Sequence, residues 1–366
     1  MEAQIKCEAT KQPLARGSGA NRAGKVLFLY KPSNLREEAL SDSSEILYFS
    51  LYGFSELQRQ GLPVRLVLGE AVTGLRLGLA GLLRRWNYLE TGYAANPRAV
   101  LAHFRQIREA SGIVATSNNI GIPILQLKRM GWIRAPILLL SVGLEAHRED
   151  AASRRCDRLA QLIRRANRVI VFSRSEAEFL SERLSLPKEN LTAVPYGFDT
   201  SYFPPFREGK TPDGDLLMVG ADALRDLELL RDWSMRNPET RVHVVVSKQL
   251  RERIATLPEE WEVEVDLPLA AVLHRLSRAS AVVIPVKKNH YTASTTFLIQ
   301  SLAVGVPTLV ARTGALEAMP EAEPFPFFTY EPENPASFAE EMRRLQSVGL
   351  EEREQRSREG RRWAER

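Results

Sequence analysis

Residues 285–310 read PVKKNHYTASTTFLIQSLAVGVPTLV, and their order decides the fold. An apolar strand ends at Pro285. A polar loop follows, a helix opens at Ala293-Ser294-Thr295-Thr296, and Gly305-Val306-Pro307 turns the chain into a second apolar strand. Strand, helix and strand in that order make a βαβ unit, which requires a parallel sheet. Small hydroxyl residues where a strand hands over to a helix also build an anion site. The first-turn N–H groups are free and the positive end of the helix dipole points at the same loop.

The pattern recurs on both sides of this stretch. Upstream, short apolar runs at 25–30, 64–68, 113–116, 137–140, 169–172 and 191–194 alternate with helical segments. Residues 31–44 read as a polar loop. Ile46, Phe49, Phe54 and Leu57 fall on one side of a helix ending at Gly61, and residues 97–110 read as one helix. After a connection rich in Pro, Gly and aromatics (195–205), strands restart at 216–219, 242–246, 262–265, 281–285 and 308–311. The expected organisation is a disordered tail (1–24), a Rossmann-like domain (25–195), a second one (196–350) and a charged helix (351–366) that packs back on the first domain. The fold class is α/β, two parallel sheets facing a cleft, where ligands of such sheets bind.

The 366 residues suit two domains, and 44% apolar with 26% charged residues is ordinary for a globular chain. Two cysteines, Cys7 and Cys156, make no disulfide framework and fit a reducing, cytoplasmic compartment. No secretory signal and no apolar run of spanning length is visible. Charge is uneven. Residues 1–200 hold 28 Lys and Arg against 19 Asp and Glu, and the remainder 22 against 26. A basic first half suits an anionic acceptor or an anionic membrane surface. No aromatic-basic module supports nucleic-acid binding.

Several motifs carry little. Gly19–Lys25 has P-loop spacing but precedes the first strand, with Val26 where a Mg²⁺-binding hydroxyl belongs. Asp213-Gly214-Asp215 resembles a metal clamp, yet Asp and Gly also make an ordinary turn before a strand. No CxxC or close His pair marks a metal site, and neither metal nor cofactor is expected. Leu75–Trp86 (LRLGLAGLLRRW) reads either as a helix on a membrane surface or as an ordinary helix with its apolar face inward.

The stretch VIVFSRSEAEFLSERLSLPKENLTAVPYGFDTSYF (169–203) resembles the interdomain segment of family 4 glycosyltransferases, which have the GT-B fold. LLMVGADALRDLELL (216–230) is similar to the first strand and loop of their second domain, and ASTTFLIQSLAVGVPTLV to their G-x-t-x-x-E-A-m-a-x-G-x-P-V-v stretch. The likeness implies an acceptor on the first domain and a nucleoside-diphosphate sugar on the second. It implies transfer to a hydroxyl of a glycan, a lipid-linked or a small-molecule acceptor, as in polysaccharide biosynthesis, retaining and without metal.

Carried over by position, Gly220 lets the backbone approach the diphosphate, Arg225 binds it, and Ser294, Thr295 and Thr296 donate to it. The Leu267 backbone lies beside the nucleobase. Both glutamates of the family motif are replaced, one by Thr292 at the donor sugar and one by Gln300 at the ribose. His147, with Glu145 second, is the candidate catalytic group after the strand at 137–140, His290 is a neighbour of the donor loop, and Lys31 and Asn34 line the acceptor side. The lost glutamates also admit a catalytically weakened GT-B scaffold subunit, and the fold admits a sugar-nucleotide epimerase.

Overall fold

The computed structural model describes residues 25–31, 33–41, 45–69, 74–144, 153–203, 214–317 and 325–365. The first domain runs β1 (Val26–Tyr30), α1 (Asn34–Ser41), α2 (Phe54–Arg59), β2 (Val64–Leu68), α3 (Leu75–Thr91), α4 (Pro97–Ala102), α5 (Phe104–Glu109), β3 (Gly112–Ala115) and α6 (Asn118–Arg129). It continues with β4 (Ile137–Leu140), α7 (Ser153–Ile163), β5 (Arg168–Val171), α8 (Arg174–Leu184) and β6 (Leu191–Ala193). The second runs β7 (Leu216–Gly220), α9 (Leu227–Ser234), β8 (Val242–Val246), α10 (Arg251–Ile254), β9 (Glu262–Val265), α11 (Leu269–Arg278), β10 (Ala281–Ile284) and α12 (Thr295–Val304). It closes with β11 (Thr308–Ala311), α13 (Gly314–Glu317), β12 (Phe328–Tyr330), α14 (Pro335–Ser347) and α15 (Leu350–Ala364).

Each domain holds one six-stranded parallel sheet, ordered β2-β1-β3-β4-β5-β6 in the first and β12-β11-β10-β7-β8-β9 in the second. The central strands are apolar on both faces because helices cover both, as βαβ crossovers demand. β8 (Val242–Val246) is buried at every position, and so is β10 (Ala281–Ile284). In the second sheet the chain leaves β7 toward β8 on one side and returns to β10 on the other. The strand order therefore reverses between β7 and β10. At such a reversal the two outgoing loops diverge and leave a crevice at the carboxyl edge. Those two loops are residues 221–226 and 285–294.

Three local expectations are corrected. Residues 34–41 form α1 rather than loop. The helix expected through Ile46 to Gly61 is broken by left-handed residues, Tyr52 (φ 47°) and Gly53 (φ 81°), into a 3₁₀ turn and α2. The helix expected over 97–110 breaks at His103, whose Nε2 lies 2.7 Å from the Leu68 carbonyl. In the last two, tertiary contact and backbone sterics override a continuous apolar period.

The final helix α15, expected against the first domain, lies instead on α12 of the second, where Gly360 lets it approach: a Cβ there would sit 3.0 Å from Leu302 Cδ2. Its Arg361 donates to the carbonyls of Thr200 (2.9 Å), Phe203 (2.9 Å) and Ala303 (2.6 Å), which ties the interdomain crossover to this domain. Phe198 of the crossover meets Phe49 of the first domain at 4.7 Å between ring centres.

Candidate functional site

The carboxyl edges of the two sheets face each other, and contacts between their loops define the candidate site. Ser173 Oγ caps α8 by accepting from Glu176 N (3.0 Å) and donates to the His290 carbonyl (2.7 Å). Ser175 Oγ lies 2.9 Å from His290 Nδ1, and the His290 ring stacks on Phe179 at 4.9 Å. Glu176, fully buried, accepts from Gly143 N at 3.0 Å. Gly143 has φ +62°, and a Cβ there would come within 2.9 Å of the Tyr291 ring, so only glycine fits. The Tyr291 hydroxyl donates to Asp222 Oδ1 (2.7 Å) in the loop after β7. His290 and Tyr291 thus hold the first domain against the second.

Arg225 is the central feature. Its backbone pairs with Val286 at the end of β10, so it sits in the crevice between β7 and β10. Its carbonyl is fixed by Arg253 Nη2 (2.7 Å) and its N–H by the Asp222 carbonyl (3.2 Å). The side chain folds over Gly220, where a Cβ would collide with the guanidinium. Only 3% of the residue is exposed. Among the described residues Nε and Nη1 have no hydrogen-bond partner. Burial pulls the guanidinium below its usual pKa, and the nearby Asp222 carboxylate only partly offsets this. A buried cation with two idle donors is costly, so the arrangement calls for an anion.

The loop after β10 supplies the complementary part. α12 opens at Thr295 with Ser294 in the N-cap position, but the Ser294 side chain caps nothing. Leu298 N reaches back to Ser294 O (3.1 Å), leaving the N–H groups of Thr295, Thr296 and Phe297 to the loop. Ser294 and Thr295 are buried, and their hydroxyls, with Asn289 Oδ1, lack partners among the described residues. Further orphaned oxygens follow strands of both sheets, Thr313 after β11 in the second and Ser141 after β4 and Asn118 after β3 in the first. Buried polar atoms are normally satisfied, and a cluster of idle ones at the carboxyl edges marks a place where a polar group is accommodated.

The remaining sequence candidates are spread around this centre. Thr292 and Gln300 are buried and Thr296 is half-buried beside them. Leu267 follows β9, two strands from β7, half-buried against the second core. Two residues on, Leu269 belongs to a buried cluster that includes Phe28 and Tyr30 of the first domain. Lys31 is exposed at the end of β1, its carbonyl accepting from Arg36 Nη1 (2.8 Å), and Asn34 opens α1. Asp226 accepts from Leu229 N (3.2 Å) and caps α9. Glu145 and His147 lie outside the described residues, as do the tail, most of the Gly19–Lys25 motif and Asp213. Sequence reasoning missed Asp222 and Ser175, because no local pattern announces a partner more than sixty residues away. Two hollows, of about 590 Å³ at Phe104 and Trp132 and about 210 Å³ at His243 and Arg278, lie away from this centre.

Known structures of the same architecture exist. The Anabaena protein HepE, solved with UDP and glucose, superposes with a TM-score of 0.61 at 13% identity over 93% of this chain and 94% of its own. A glycosyltransferase from Rickettsia africae gives 0.53 at 10%, covering 93% of each chain. The lipopolysaccharide outer core galactosyltransferase WaaB gives 0.50 at 10%, over 88% of this chain and 90% of its own. This chain has the GT-B fold. No family model and no curated protein sequence matches it. In this GT-B chain Arg225 follows β7 and pairs with Val286 after β10, at the carboxyl ends of those strands.

Proposed function

We propose that this protein is a glycosyltransferase that moves a sugar from a nucleoside-diphosphate sugar to an acceptor hydroxyl. The observation that carries the reading is the buried, partly unpartnered Arg225 guanidinium at the β7/β10 crevice, with the opening turn of α12 after the neighbouring strand. A guanidinium binds phosphate oxygens through two parallel N–H donors, and a helix N-terminus adds aligned backbone N–H groups. A diphosphate is the anion that can span both. HepE was solved with UDP, which supports a uridine nucleotide as the first to test.

The chemistry follows from charge. As the glycosidic C–O bond breaks, negative charge builds on the leaving diphosphate, where Arg225 and the α12 N-terminus stabilise it. The acceptor hydroxyl attacks from the same face and gives its proton to the departing phosphate oxygen, so the anomeric configuration is retained. The positive groups supply the role that a cation plays in metal-dependent transferases. Gln300 bonds to ribose hydroxyls without a charge, and Thr292 faces the sugar. Donor entry requires the Ser173–His290 and Gly143–Tyr291 contacts to part, a hinge opening about the crossover at 195–203.

Calorimetric titration with UDP, GDP and ADP, with product analysis under a UDP-sugar and candidate acceptors, tests the reading. Binding of none of the three by folded protein overturns it. A second reading, a catalytically silent GT-B scaffold, is favoured by the burial of Ser294 and Thr295 and by the replaced glutamates. Its signature is folded protein that binds none of UDP, GDP and ADP.

A further inference from the structure

The helix α3 presents an apolar stripe to solvent. Its inward side is Ala80, Leu83, Asn87 and Thr91, with Ala80 packing on Leu101 of α4. At roughly 100° per residue, Leu75, Leu79, Leu82, Trp86 and Leu89 fall within about 80° of one another, some 120° round from that inward side. Leu75 is 90% exposed, Leu82 68%, and Leu79 and Leu89 54% each. No atom lies within 4 Å of where a Cβ would stand on Gly78 or Gly81, so that side of the first turns is open to solvent while Ala80 holds the helix to the domain. A lone exposed leucine is unremarkable, whereas four in register on one helix face form a docking surface.

The charge around the stripe says what docks there. α3 carries Arg76, Arg84 and Arg85, and its one acid, Glu90, is held by Arg129 through two hydrogen bonds of 2.7 and 2.8 Å. Arg129 also lies over the Trp86 ring at 4.9 Å, and Arg155 of α7 over the Tyr88 ring at 5.7 Å. Arg154 and Arg158 are exposed on α7, with Asp157 the one acidic residue of that helix. On the same spacing of about 100° Arg84 falls on the opposite face, Trp86 lies within the leucine ridge, and Arg76 and Arg85 flank that ridge on its two sides. A protein partner would need a groove to receive it, whereas a bilayer accepts a single convex helix lying flat, its leucines in the acyl boundary and its arginines on the phosphates.

We propose that α3 seats this protein on an anionic lipid bilayer. The helix is too polar and too interrupted to cross one, and no described helix is long and apolar enough to do so. Its first turn follows the carboxyl end of β2 by a few residues, so the seated edge is the one that faces the second domain. An acceptor on a lipid anchor would thus arrive at the rim of the crevice. The surface itself stands whether or not the donor reading holds.

Cosedimentation of the full chain with phosphatidylcholine vesicles, with and without phosphatidylglycerol, is the test. The protein is expected on the phosphatidylglycerol vesicles at moderate salt, to leave them at high salt, and to ignore phosphatidylcholine alone. Leu79→Glu with Leu82→Glu should weaken binding at least about 100-fold, and Arg76→Gln with Arg85→Gln roughly 20-fold. Both side-chain pairs are exposed, so the thermal transition should stay put, and UDP calorimetry on the same variants should be unchanged. Absence of binding to anionic vesicles by the parent overturns the proposal. So does equal binding by the double-glutamate variant, or a self-associated parent that this variant renders monomeric while neither binds vesicles.

Discussion

Replacing Arg225 by methionine separates ligand recognition from structural support. Methionine keeps most of the side-chain length and removes the charge. In the parent Arg225 is 3% exposed, its Nε and Nη1 have no partner among the described residues, and burial outweighs the attraction of Asp222. Substituting buried ionic groups by apolar volume is neutral or stabilising by roughly 1–4 kcal/mol where no charge is stranded, and Asp222 keeps its hydrogen bonds from Tyr291 and Leu224. The unliganded variant should therefore unfold at the parent's temperature or a few degrees above it, at roughly 2–4 °C per kcal/mol for domains of this size. Nucleotide binding should move the other way. Two lost charge-assisted hydrogen bonds at roughly 1.5–3 kcal/mol each predict at least a 100-fold rise in the UDP Kd. Scanning calorimetry with and without UDP reads both quantities, because ligand binding raises the parent's transition and should not raise the variant's. A variant that is clearly less stable without ligand, and is stabilised by UDP as much as the parent, refutes the assignment. Arg225 would then be a structural residue.

Other perturbations test neighbouring parts. Gly220→Ala places a Cβ against the Arg225 guanidinium, so UDP affinity should fall at least about tenfold while circular dichroism stays unchanged. Gly143→Ala combines a left-handed backbone with a clash against Tyr291, and the transition should drop by a few degrees for roughly 1–2 kcal/mol of backbone strain. Arg361→Ala removes a donor from three carbonyls, of which that of Thr200 keeps the Phe203 N–H, and should cost roughly 2–4 kcal/mol, seen as faster proteolysis of the crossover near Thr200. For Glu90, burial pushes the carboxyl up, but the hydrogen bonds from Arg129 and Gln126 and the charges of Arg129 and Arg158 outweigh it and hold it below the usual range. A depressed folded pKa means stability that is present above the unfolded value of about 4.3 and lost as pH falls through the folded one. Glu90→Gln should accordingly be less stable at neutral pH, with the difference vanishing in acid. A constant difference down to the lowest pH would contradict it.

Amino-acid order alone determined the two βαβ domains, the crossover between them and the helix that opens at Ser294 and Thr295. These follow from period and punctuation, which act over a few residues: apolar runs of four to six, glycine and proline at the turns, hydroxyls at a helix start. The caps at Asp199 and Asp226 are local in the same way, each side chain accepting from an N–H two or three residues on. Only the tertiary structure decided that Arg225 folds over Gly220 against the end of β10. It also decided that His290 and Tyr291 clasp Ser173, Ser175 and Gly143, and that the leucines of α3 face outward. Each of these depends on which strand lies beside which and how a helix is rolled on its sheet. Such pairings join residues tens of positions apart or more, where the chain's local periodicity carries no information.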